Sequence, residues 1–81
     1  MNKYMKELQD LKPSDEVQFM NTNGALKGYN KIYTSGHGYL VVPIKDKNIK
    51  LASSICEYGF KGKKAVYLEE DEELGMFINT I

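Results

Sequence analysis

Tyr33-Thr34-Ser35-Gly36-His37-Gly38-Tyr39-Leu40-Val41-Val42-Pro43 decides how the rest of this 81-residue chain is read. It sets the only histidine between two glycines, then runs into Leu40-Val41-Val42, the most β-prone stretch of the sequence. A nearly continuous apolar strand is one buried on both faces, so residues 39–43 are predicted to lie in the interior of a sheet. Pro43 cannot donate to a ladder and marks the strand's end. Ser35-Gly36-His37-Gly38 is predicted as a tight turn.

Upstream, Val17-Gln18-Phe19-Met20 reads as a strand with Val17 and Phe19 on one face. Asn23-Gly24 follows, a dipeptide that tolerates positive φ and signals a tight hairpin. The second arm is predicted over about 25–34, with Gly28 as a bulge. Before these strands, Tyr4, Met5, Leu8 and Leu11 share a helical face, which predicts a short helix over 2–11 that ends near Lys12 because Pro13 follows.

Downstream, Asp46 or Asn48 can cap a helix over 47–58 whose apolar side is Ile49, Leu51, Ala52, Ile55 and Cys56. Gly59 is placed to end it in the left-handed conformation, with Phe60 packing back. Lys61-Gly62-Lys63-Lys64 reads as a loop and Ala65-Val66-Tyr67-Leu68 as a strand. Glu69-Glu70-Asp71-Glu72-Glu73 then opens a last helix, where acids suit the positive end of the helix dipole. The expected order is α-β-β-β-α-β-α: a single α+β domain over 1–81, with a small, mainly antiparallel, four-stranded sheet and about three helices.

Composition narrows the function. The length fits one domain, and the 42% hydrophobic and 27% charged content is ordinary for a globular protein. Cys56 is single, no signal-peptide pattern opens the chain, and no apolar run approaches the roughly 20 residues of a membrane span. A cytoplasmic setting is expected. Residues 1–64 hold all 11 Lys against 6 acids (+5), and residues 65–81 hold 5 acids and no Lys (−5). The chain has no Arg, which argues against sequence-specific DNA reading, since Arg makes the commonest base contacts.

Two polar clusters are candidate sites: His37 with Tyr33 and Tyr39 beside it, and the acids Glu69, Glu70 and Asp71. Together they suggest metal binding or acid–base chemistry. A β-α-β crossover through the helix at 47–58 would make strands 39–43 and 65–68 parallel. His37 and Glu69 would then lie at opposite ends of the sheet, about 15 Å apart for five residues at roughly 3.3 Å each. On that geometry no catalytic set forms within one chain, and neither a metal nor a cofactor is expected. The plainer alternatives are a turn histidine, tyrosines packed in the sheet and an acidic helix start. No phosphate loop, dinucleotide fingerprint, zinc spacing or Ca²⁺ loop is present.

Gly36-His37-Gly38-Tyr39-Leu40-Val41-Val42-Pro43, followed across a helix by Tyr67-Leu68-Glu69-Glu70-Asp71 and Phe77, resembles a family of small proteins of unknown function from bacteriophages and other mobile elements. They share a His-Gly-aromatic-Leu-x-Val-Pro segment, a helix and a Tyr-Leu-Glu-Glu-Asp segment. The likeness spans residues 33–78. It implies a bacterial host cytoplasm and an accessory role, which includes blunting a host defence; it carries no activity to transfer.

The leading expectation is therefore a non-enzymatic binding protein that engages a host protein or a small ligand through His37, Tyr33, Tyr39, Glu69, Glu70 and Asp71. One alternative is a metal-dependent hydrolase using His37 and carboxylates across a dimer. Another is weak nucleic-acid association through Lys61, Lys63 and Lys64. The strand at 17–20 is a candidate edge for a homodimer.

Overall fold

The computed structural model describes residues 2–81. Three helices and five strands follow in the order α1 (Lys3–Leu11), β1 (Val17–Asn21), β2 (Asn30–Thr34), β3 (His37–Pro43), α2 (Ile49–Ile55), β4 (Phe60–Lys61), β5 (Ala65–Glu69) and α3 (Glu72–Thr80). A 3₁₀ turn, Gly24–Leu26, lies between β1 and β2. The fold is α+β, built on one antiparallel sheet of spatial order β1-β2-β3-β5-β4.

The sheet is sandwiched. Leu40 and Val42 of β3, with Val66 and Leu68 of β5, meet Ala52 of α2 and Leu74 and Phe77 of α3. Tyr39 and Val41, with Ile32, Ala65 and Tyr67, meet Leu8 of α1 on the other side. The alternation of β3 thus feeds two cores, and Tyr39 through Val42 are all buried. Each such side chain contributes about 1.5–3 kcal/mol by leaving water. The interior position of residues 39–43 follows from their apolar continuity.

Several expectations are corrected. The sheet has five strands, not four. The additional one, Phe60–Lys61, is two residues long, too short to show a period of two, and joins the expected post-cap contact Phe60 to the first residue of the expected loop.

Strands β3 and β5 are antiparallel, with Tyr39 opposite Glu69 and Pro43 opposite Ala65. The crossover from β3 through α2 leads to β4, not β5. Both β3 and β4 are antiparallel to β5, so they run parallel to each other with β5 between them. The crossover rule holds one strand further out.

Asn23-Gly24 does not make a two-residue hairpin. Strand β1 ends at Asn21 and β2 begins at Asn30. The intervening segment carries Leu26 into the core beneath α2 and α3, with Tyr29 packed alongside. Burial of Leu26 outweighs the local turn preference. Gly28 lies in this loop and not in a bulge. Thr22 Oγ1 donates to the carbonyls of Leu26 and Tyr29, the latter at 3.1 Å.

The helix expected over 47–58 is Ile49–Ile55, and Gly59 does not adopt the left-handed conformation. Gly59 is needed for space instead: a Cβ there would stand 1.9 Å from the Tyr67 carbonyl oxygen.

Candidate functional site

Because β3 and β5 are antiparallel, the β2–β3 turn and the C-terminal end of β5 share one end of the sheet. His37, Tyr33, Tyr39, Glu69 and Glu70 therefore meet there, with Asp71 next in the chain. The backbone N–H of Glu70 donates to the Gly38 carbonyl at 2.9 Å. The Glu70 carboxylate and the Tyr33 ring both lean over Gly38, where an added Cβ would lie 2.5 Å from Glu70 Oε2 and 2.9 Å from Tyr33 Cε1. The glycine after His37 thus makes room for two side chains. The 15 Å separation expected from a parallel pair is overturned. His37 and Glu69 are diagonal neighbours on adjacent strands, a spacing of roughly 7–8 Å.

The sheet itself divides this group. Tyr39 and Glu69 project toward α1, as does His37, two residues before Tyr39. Tyr33 and Glu70 project toward the other face, beside Gly38. The His37 ring is exposed and tilted 32° to Tyr39 at 6.4 Å. Tyr39 is buried, packs 5.8 Å from the Phe60 ring, and its hydroxyl accepts from Lys12 Nζ at 2.9 Å. The two tyrosines therefore do not line one pocket. Among the described residues, no group of three His, Cys, Asp or Glu side chains is placed to hold a metal ion.

The acids 69–73 form a concavity. A depression of about 420 Å³ is lined by Glu69, Glu70, Asp71, Glu72, Glu73 and Tyr58. Asp71 turns the chain into α3 at φ 87°, and its side chain makes no cap bond. Such a φ is uncommon for a non-glycine residue, and with ψ −117° it lies outside the left-handed helical region where Asp is enriched.

Glu73, in the first turn of α3, is 3% exposed. Its carboxylate accepts the N–H of Glu57 at 2.9 Å, of Tyr58, of Gly59 at 3.2 Å and of Glu69 at 3.1 Å. One carboxylate thus ties the loop after α2 to the end of β5 and holds Tyr58, 64% exposed, at the rim. Sequence reasoning places Glu73, with Glu70, only as an acid at a helix start and gives Tyr58 no role, so it misses this anchor. The available signal was Gly59 following an apolar helix, a mark of close backbone approach.

At the far end of β5, Glu7 of α1 does a similar job. Its carboxylate accepts the N–H of Lys63 at 2.8 Å and of Lys64 at 3.1 Å, and the Tyr67 hydroxyl at 2.7 Å. Burial alone would raise the Glu7 pKa. The Tyr67 hydroxyl and the backbone donors outweigh it and hold Glu7 below the ordinary 4.5. Burial, then the Glu7 partner, pushes the Tyr67 phenol well above its ordinary value. The Cys56 thiol is also raised, by burial first and the nearby Glu73 charge second, which is the opposite of an activated nucleophile. Lys63 and Lys64 lie at this end, so β5 has lysines before it and carboxylates after it.

No family model matches the chain, and neither a curated protein nor a solved structure is detectably similar to it.

Proposed function

We propose that this is a non-enzymatic binding protein of phage or mobile-element type that docks a positively charged surface of a host protein in its acidic concavity. The observation that supports this reading is the division of labour among five consecutive acids. Glu73 is buried and fixes the rim, while Glu69, Glu70, Asp71 and Glu72 border the depression under Tyr58. An exposed tyrosine supplies contact area at low entropic cost, and the carboxylates supply steering toward cations. The host and the accessory role come from the sequence resemblance.

The test is affinity capture from bacterial lysate, comparing wild type with E69Q/E70Q/D71N/E72Q and with Tyr58→Ala. The expected result is a partner lost from both variants at unchanged melting temperature, with binding that weakens as salt rises. Capture of the same proteins by all three would overturn the reading. His37→Ala reports separately on the start of β3, which does not line the concavity.

A further inference from the structure

The two edges of the sheet differ in how they end. The β4 edge is two residues long and flanked by the Glu73 and Glu7 knots. The β1 edge is five residues, Val17-Gln18-Phe19-Met20-Asn21, in unbroken register with β2. Proteins blunt such edges with Lys, Pro, bulges or short length. Strand β1 has none of these. It carries no charge at all, and Gln18, Met20 and Asn21 are exposed.

We infer that β1 pairs antiparallel with β1 of a second copy about a two-fold axis at Phe19, joining both sheets into one. The sequence is self-complementary in that register. Phe19 meets Phe19 of the second copy, Gln18 meets Met20, and Val17 meets Asn21. A two-fold axis perpendicular to the sheet keeps odd residues on the α1 side in both copies. Val17 and Phe19, half-buried against the α1-side core, then extend that core across the axis. Met20, 45% exposed, is covered on the other face. Charges beyond the strand do not oppose the pairing. Asp15 and Glu16 fall opposite Asn23 and Thr22 of the second copy, both uncharged, with Lys27 further along the same loop. The contact is isologous and closes on itself, so it yields a dimer and not a fibre.

Sedimentation equilibrium of the full chain, up to roughly 1 mM, reads the association. Wild type should sediment as a dimer. Q18K/M20K places Lys opposite Lys at two positions on exposed sites, and Q18E/M20E does the same with Glu; each alone should be monomeric and folded, melting cooperatively at a temperature that, unlike that of wild type, does not rise with protein concentration. Mixed, the two should recover a dimer as a heterodimer, because every like pair becomes an opposite pair. A monomeric wild type over the whole range overturns the inference. So do variants that dimerise as wild type does, and so does a mixture that stays monomeric.

Discussion

Glu7 and Glu73 perform the same act from opposite sides of the sheet and at opposite ends of β5. Each accepts several backbone N–H groups from a glycine-containing segment beside β4, and each sits above a glycine: Glu73 by Gly59, Glu7 by Gly62. The difference is burial. Glu73 is sealed beneath its loop, whereas Glu7 reaches from α1 and is only partly covered. A charge-assisted hydrogen bond gains strength in a low dielectric, and a donor orphaned there costs more. The two knots should therefore carry unequal shares of stability.

The sharpest break in the comparison is Glu73→Ala. It leaves four N–H donors without their acceptor and should cost about 4 kcal/mol, measured by urea unfolding. Next is Gly59→Ala, whose Cβ would collide with the Tyr67 backbone, at about 3 kcal/mol. Gly62→Ala meets the Glu7 side chain instead, which can swing away, so its cost should fall to about that of losing the Glu7 contacts. For Glu7→Gln or Tyr67→Phe that cost is about 1 kcal/mol, a fall in melting temperature of roughly 4–8 °C. Equal losses for Glu73→Ala and Glu7→Gln would erase the distinction between the knots.

Proton linkage sharpens it further. Glu7 has a folded pKa below its ordinary 4.5, so its contribution is present above that pH and fades as pH falls through the folded value. Wild type should lose more stability than Glu7→Gln on acidification below about pH 4.5, and unfolding titrations at stepped pH would show it. Tyr67 acts in the opposite sense. Its raised pKa keeps the phenol protonated, so its contribution is full below the ordinary 10.0 and is lost as pH rises above that. The smallest effect should be Tyr58→Ala. With its side chain 64% exposed, stability should change by no more than about 0.5 kcal/mol, even as capture of a partner is lost.

The buried strand 39–43, the strand at 17–20, the first helix and the α+β class were legible because each rests on a periodicity or an apolar run. The direction of β5 was not, because it depends on a two-residue strand that no pattern announces. Length rules place a parallel partner after α2; they do not say that Phe60–Lys61 takes that place and leaves β5 to return between. The site inherited that error. His37 and the acids were separated by a whole strand on paper and share one end in the fold. Glu73 was hidden among four chemically similar neighbours, and only the path of the 57–59 backbone distinguishes it.

The late arrival of β5 has a consequence for synthesis. The meander β1–β2–β3 is complete by residue 43, yet the strand that covers the other side of β3 emerges only at 65–69. Without β5, the apolar run Tyr39–Pro43 has one ladder edge bare. Released chains truncated after Lys64 should be the ones that holding chaperones retain or that precipitate. Equal solubility of those chains and the full protein would show that β3 tolerates its wait.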